Sequence, residues 1–145
     1  MTFLPDVNFL VALFDASHPN HEAAHVWFGE TGSRSWATCP ITENGCIRVI
    51  SNPGYTSVAA TPIEMLRRLT EFCGHPGHLF WPDDVSLRNS LDDAVRVRLQ
   101  GHQQLTDFYL VALASRHDGK LATFDGSLSR SLAGTVFEPA IEVVR

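Results

Sequence analysis

The feature of this sequence that most restricts its fold is a helical segment without a polar face. Residues 108–114 read FYLVALA, so a helix there carries apolar side chains on every side. Such a helix must be surrounded by protein, yet it is far shorter than the roughly 20 residues that span a bilayer. The sequence therefore predicts a buried central helix from Asp107 to about His117, with Thr106 as its N-cap, and no transmembrane helix. We expect Gly119 to follow it in the left-handed conformation.

Short strand-like segments alternate with helical patterns along the rest of the chain. The predicted strands lie at residues 2–5, 35–39, 79–81, 121–124 and 141–144. The predicted helices start near Asp6, His21, Pro40, Thr61 and Ser86, and the last of them continues as one helix to Leu99. This alternation predicts an α/β fold with a mainly parallel sheet that is covered on both faces. Because the chain has 145 residues, of which 44% are hydrophobic, we expect a single domain over residues 1–145.

Four carboxylates adjoin the apolar segments of the chain. They follow the predicted strands or open the predicted helices: Asp6, Asp125, Asp107 and Glu43. Each of them taken alone could be a turn residue, a helix-dipole residue or a solvated first-turn acid. However, the carboxyl ends of parallel strands and the starts of the helices that follow share one edge of a sheet, so these side chains can converge.

Converging carboxylates need a cation to relieve their repulsion. Two like charges about 4 Å apart repel by about 4 kcal/mol at an effective dielectric near 20, and the first basic residue of the chain is Arg34. Oxygen ligands select a hard ion, Mg²⁺ or Mn²⁺, over zinc. Metal ions held by acids can activate a water molecule for in-line attack on phosphorus. The net charge of −5 argues against a broad basic surface, so any nucleic-acid site must be local.

Four blocks of sequence occur in order along the chain: PDVN at residues 5–8, PITEN at 40–44, LTDFYL at 105–110 and ATFD at 122–125. Together they resemble the motifs of PIN-domain nucleases, and most closely those of the VapC-type ribonuclease toxins of bacterial toxin–antitoxin pairs. The resemblance implies a three-layer α/β/α fold and an endoribonuclease that depends on Mg²⁺ or Mn²⁺. It also implies which residues hold the metal and catalyse the reaction, and which support them: Asp6, Glu43, Asp107 and Asp125, with Thr106, Thr123 and Asn8 in support.

The same resemblance implies the partners of the protein. These are an RNA substrate, a cognate antitoxin protein and a second copy of the chain in a homodimer. The N-terminal sequence MTFLPDVNFL has no basic residue ahead of its apolar stretch and no small-residue cleavage site, so it does not look like a secretory signal. We therefore expect a cytoplasmic protein that is not attached to a membrane.

Two other functions remain open at this point. Residues 21–25 read HEAAH, an HExxH motif that on a helix presents two imidazoles to zinc with Glu22 as the base of a metalloprotease, although a third ligand is needed. The acids could instead receive a basic peptide in a non-catalytic interaction domain. The three cysteines, Cys39, Cys46 and Cys73, match no zinc or disulfide spacing and are expected to be small buried hydrophobes, while His78 is expected in a surface loop.

Overall fold

A five-stranded parallel sheet forms the middle layer of the molecule. The computed structural model describes residues 1–55 and 59–145. The strands are β1 (Phe3–Pro5), β2 (Trp36–Thr38), β3 (His78–Phe80), β4 (Lys120–Thr123) and β5 (Ile141–Val143), in the order β3-β2-β1-β4-β5 across the sheet. Pro5 is opposite Ala122 in the pairing of β1 with β4. The residues that follow these two central strands therefore emerge side by side at one edge of the sheet.

Helices cover both faces of this sheet. They are α1 (Val7–Phe14), α2 (His21–Glu30), α3 (Pro40–Ser51), α4 (Pro62–Cys73), α5 (Leu87–Ser90), α6 (Asp93–Arg96), α7 (Leu105–Arg116) and α8 (Gly126–Ser131). Successive strand residues point to opposite faces: Leu4 and Leu121 pack in one apolar cluster with α7, while Phe3 and Ala122 pack in another with α1. The predicted α/β/α layers are thus confirmed. None of the helices in the described ranges is long and apolar enough to cross a membrane.

Helix α7 is enclosed as its composition predicts. Six of its side chains are buried, and the hydroxyl of Tyr109 reaches outward to Asp83 Oδ1 at 2.8 Å. The predicted N-cap is wrong by two residues, because a 3₁₀ turn at His102–Gln104 leads directly into the helix. Thr106 therefore lies inside the first turn, where its side chain is available to a site rather than to capping.

The residue that ends α7 in the left-handed conformation is not the one predicted. The residue in the left-handed region is Asp118, with φ of 53°, and not Gly119. A Cβ atom at Gly119 would lie 2.5 Å from the carbonyl oxygen of Thr2 and 2.8 Å from the ring of Trp81. Gly119 is therefore needed for the close approach of the chain entering β4 to the chain entering β1.

The single helix predicted from Ser86 to Leu99 is wrong. Helices α5 and α6 are separate short turns, and Leu91 between them is extended, with φ of −102° and ψ of 119°. Asp92 then begins α6 by accepting a hydrogen bond from the Val95 amide at 2.9 Å. Local capping by aspartate thus competes successfully with the helical spacing of the leucines.

Candidate active site

Asp6 is fixed at the junction of β1 and α1. Its amide donates to the carbonyl of Ala122 at 3.0 Å, and its Oδ1 accepts from the Phe9 amide at 2.7 Å. It is the N-cap of α1, a position where aspartate satisfies one of the free amides at the start of a helix. The residue is only 8% exposed, so its carboxylate lies at the carboxyl edge of the sheet with little access to water.

Two further carboxylates are held at the same edge. Asp107 lies in the first turn of α7, where the helix dipole favours a negative charge. Asp125 follows β4 and caps α8, because its Oδ1 accepts from the amide of Ser127 at 2.8 Å and from the hydroxyl of Ser127 at 2.6 Å. Sequence analysis missed the role of Ser127, although an aspartate side chain in a turn commonly bonds the backbone two residues on.

These three carboxylates line one cleft of about 350 Å³. The supporting residues that the sequence predicts line it too: Asn8, Thr106 and Thr123. Its apolar wall consists of Val7, Val11, Val49 and Leu110, all of which lie on helices that the sequence predicts. The cleft therefore combines several oxygen atoms with a wall that limits hydration.

Burial and mutual repulsion raise the pKa values of two carboxylates in this cleft. Burial raises the pKa of Asp6 from 3.8 to about 6, and the negative charges of Asp107 and Asp125 add to the rise, while the Thr123 hydroxyl and the Phe9 amide act to lower it. The pKa of Asp107 is also raised, first by burial and then by the charge of Asp125. The groups that favour the ionised form of Asp6 are thus neutral dipoles, so they leave the cluster with a net negative charge.

The supporting residues differ in what they contact. Thr123 joins two of the acids, because its Oγ1 accepts from the Asp125 amide at 3.0 Å and its hydroxyl favours the ionised form of Asp6. Asn8 lies at the rim of the cleft, where its Oδ1 is 3.2 Å from Nε2 of His18. Thr123 is therefore built into the acid cluster, whereas Asn8 is shared with the surface.

Glu43, the fourth predicted acid, has other neighbours. It lies in the first turn of α3, and its Oε2 accepts from the Thr38 hydroxyl at 2.6 Å. A carboxylate oxygen of Glu43 also lies within 4.8 Å of the Cys73 thiol and an imidazole nitrogen of His78. Among the described residues, three of the four predicted carboxylates line the cleft, whereas Glu43 accepts from the hydroxyl at the end of β2.

The HExxH motif has a structural role. The Nδ1 atom of His21 lies 2.7 Å from the carbonyl oxygen of Ala12, and Nε2 of His25 lies 2.8 Å from that of Leu13. These carbonyls belong to the last turn of α1, which has no amide donors of its own for them. In the described ranges, no third ligand atom joins the two histidines in a group able to hold a metal. The zinc-protease alternative therefore loses its structural basis.

Comparison with known protein families supports the interpretation of the fold. Residues 3–131 match the PIN domain family. The chain belongs to the PIN-domain family, and the matched range includes strands β1 to β4 and the three carboxylates of the cleft.

Similarity to individual proteins shows which type of PIN-domain protein this chain resembles. The chain is 42% identical over 139 residues to Ribonuclease VapC39 of Mycobacterium tuberculosis, covering 95% of this chain and 99% of that protein. It is 45% identical over 133 residues to Ribonuclease VapC44 of the same species, covering 89% of each chain. Ribonuclease VapC38, also of that species, is 41% identical over 125 residues, covering 86% of each chain. The resemblance to the VapC type is thus confirmed over nearly the whole length.

Proposed function

We propose that the protein is an endoribonuclease that depends on Mg²⁺ or Mn²⁺ and acts as the toxin of a toxin–antitoxin pair. The observation that carries this proposal is the cleft in which Asp6, Asp107 and Asp125 lie together, with the pKa of Asp6 raised to about 6. The relation to proteins named as VapC ribonucleases supports RNA as the substrate. Hydrolysis of a phosphodiester bond needs no nucleophilic side chain when a cation is held at such acids.

The residues of the cleft fit a hard divalent cation. Carboxylate and hydroxyl oxygens are the donors that Mg²⁺ and Mn²⁺ prefer. A doubly charged ion would also relieve the repulsion that raises the pKa values of Asp6 and Asp107. We assign Asp6, Asp107 and Asp125 to hold it. Glu43 is proposed as the fourth acid on the family resemblance, and it would first have to leave the Thr38 hydroxyl.

In this proposal, the metal would supply the chemistry and the acids would hold the metal in place. When bound, the metal would supply a water of lowered pKa and would stabilise charge on the phosphate oxygens. Asp6 and Asp125 are oriented in advance by the Phe9 amide and by Ser127, so their oxygens do not need to reorganise. The carboxylates without a cation would repel RNA phosphates, so the same acids make RNA binding conditional on the metal.

We also propose the partners that the resemblance implies. An antitoxin would silence the enzyme by placing a basic side chain at the acid cluster, and a second copy of the chain would form a homodimer in the cytoplasm. Exposed apolar side chains support protein contacts: Ile63 and Leu66 on α4 are 74% and 49% exposed. Co-expression tests the pairing, because the chain alone should stop growth and its antitoxin should restore it.

Cleavage assays test the catalytic proposal directly. Asp107→Asn should abolish cleavage of RNA while the circular dichroism spectrum stays unchanged, because the amide keeps the shape of the side chain and loses its charge. Asp93→Asn is the matched control, since Asp93 is an exposed first-turn aspartate on α6. EDTA should abolish cleavage by the wild type, and Mg²⁺ or Mn²⁺ should restore it. Full cleavage by the metal-stripped protein would contradict the proposal.

A further inference from the structure

A second group of potential metal ligands consists of residues that do not line the acid cleft. Glu43 of α3, Cys73 at the end of α4 and His78 at the start of β3 each offer one ligand atom, and these atoms lie within 4.8 Å of one another. All three residues are half-buried. The sequence analysis expected Cys73 to be a buried hydrophobe and His78 to be a surface loop residue. The structure corrects both expectations, because it turns the thiol and the imidazole toward the same carboxylate.

The three side chains surround one hydroxyl group. Thr38 Oγ1 donates to Glu43 Oε2 at 2.6 Å and lies 2.8 Å from His78 Nε2. The same hydroxyl favours the ionised form of the Cys73 thiol, although burial as a whole raises the pKa of that thiol. This hydroxyl contacts both the carboxylate and the imidazole, and the thiol lies within 4.8 Å of their ligand atoms, so the three groups face a common point. In a metal site, this hydroxyl could hold the carboxylate from outside the first shell of ligands.

The backbone keeps Cys73 and His78 at this spacing. Four residues, 74–77, separate them, and the amide of His78 donates to the carbonyl of His75 at 3.1 Å. A Cβ atom at Gly77 would lie 2.1 Å from the carbonyl oxygen of Ser33, so this turn is pressed against the neighbouring chain. The imidazole of His78 also packs on the ring of Trp36, with 4.7 Å between the ring centroids. Thiol and imidazole are therefore held by a constrained turn.

We propose that Glu43, Cys73 and His78 form a site for a borderline transition-metal ion such as Zn²⁺. Thiolate and imidazole ligands select zinc or cobalt over magnesium. Metal–ligand distances of about 2.0–2.3 Å require the ligand atoms to approach one another by roughly 1 Å, and three protein ligands leave one position for water. On binding, the thiol forms its bond to the metal and releases one proton to solvent, while the imidazole binds through its unprotonated nitrogen.

This site has a consequence for the acid cleft that rests on the proposed function. If Glu43 serves the catalytic ion, then a zinc ion bound to Cys73 and His78 withholds that carboxylate from it. Zinc should then inhibit RNA cleavage through Cys73, and Cys73→Ser should relieve the inhibition. Equal inhibition of the wild type and of Cys73→Ser would place the effect elsewhere and overturn this coupling.

Cobalt titration of the whole chain tests the site without using its activity. With Mg²⁺ in excess to fill oxygen sites, one equivalent of Co²⁺ should produce a thiolate-to-metal charge-transfer absorption band in the near ultraviolet. Cys73→Ser should remove the band, whereas Cys39→Ala should keep it, because Cys39 is buried in the apolar cluster around α7. Absence of the band in the wild type, or its persistence in Cys73→Ser, would overturn the proposal.

A second pair of variants keeps the proposal testable if Cys73→Ser fails to fold. His78→Gln should weaken cobalt binding by more than the roughly 10- to 100-fold that loss of an outer hydrogen bond costs. His75→Gln is its control, since His75 is an exposed histidine in the same turn and should leave affinity unchanged. Unchanged affinity in His78→Gln would also contradict the site. Asp107→Asn should keep the band while losing cleavage, which separates failure of this proposal from failure of the nuclease proposal.

Discussion

Replacing Asp6 by asparagine should stabilise the metal-free protein at neutral pH while removing its activity. Burial is the main reason that the pKa of Asp6 rises from 3.8 to about 6, and the charges of Asp107 and Asp125 contribute. Asparagine keeps an oxygen that can accept from the Phe9 amide, and it caps helices about as well as aspartate. The substitution therefore removes the charge and leaves the cap of α1 in place.

The pKa of Asp6 sets both the size of this effect and its pH range. One pKa unit corresponds to about 1.4 kcal/mol, so a rise from 3.8 to about 6 lowers the free energy of unfolding by about 3 kcal/mol once Asp6 is ionised. The folded protein binds this proton more tightly than the unfolded chain. Stability therefore falls as the pH rises from about 4 to about 6 and stays low above that. For a chain of this length, the difference corresponds to roughly 6–12 °C in Tm.

Urea unfolding followed by circular dichroism in EDTA measures this difference. Wild type and Asp6→Asn should be similar at about pH 4, and the variant should be more stable by about 3 kcal/mol at about pH 7.5. Mg²⁺ should narrow the gap by stabilising the wild type. Asp6→Ala, which also removes the cap, should be about 1 kcal/mol less stable than Asp6→Asn at both pH values. An equal difference between wild type and Asp6→Asn at both pH values would refute the reasoning.

Three further substitutions, one at the cleft and two away from it, test individual contacts. Thr123→Val should lower the initial rate of RNA cleavage by about 10- to 100-fold, because its hydroxyl contacts two acids, whereas Thr2→Val at the other end of β1 should leave that rate unchanged. His25→Ala should lower the free energy of unfolding by about 1 kcal/mol and leave RNA cleavage intact, because the substitution only removes the partner of a carbonyl of α1. Loss of cleavage without loss of stability would instead indicate a catalytic role for the HExxH motif. In thermal unfolding, Gly119→Ala should lower the free energy of unfolding by about 1–3 kcal/mol, because the new Cβ would overlap the carbonyl oxygen of Thr2. Gly29→Ala is its control: the new Cβ meets nothing within 4 Å, so the substitution should stabilise α2 by about 0.5–1 kcal/mol.

The parts of the site that could be predicted from the sequence depend on local rules. Asp6 and Asp125 follow strands that pair side by side, so the parallel sheet alone brings them to one edge. Asp107 joins them because an apolar helix can lie only in the interior, and its first turn then faces that edge. Strand ends and helix starts are visible in a sequence as changes of pattern, which is why three carboxylates could be placed without coordinates.

The surroundings of Glu43 could not be predicted in the same way. Its position in the first turn of α3 was predicted, but its hydrogen-bond partner was not. The groups around it come from the end of β2, the end of α4 and the start of β3, and their meeting depends on how a constrained turn packs against residue Ser33. Such contacts between distant segments leave no periodic signal. The helix predicted from Ser86 to Leu99 was wrong for the opposite reason. Its periodic signal is present in the sequence, but a local cap at Asp92 starts a new helix instead.

The two carboxylate neighbourhoods also differ in how firmly the fold holds them. Asp6 and Asp107 repel each other, yet separating them would require moving α1 or α7, whose buried side chains fill the two apolar clusters. Packed interiors resist such movement, so the repulsion appears as raised pKa values rather than as a displaced helix. Glu43 is half-buried and is held by one hydroxyl, so its side chain can exchange partners by rotation. Under the two proposals, the acids of the cleft would therefore hold a cation without moving, and Glu43 would respond to which cation is present.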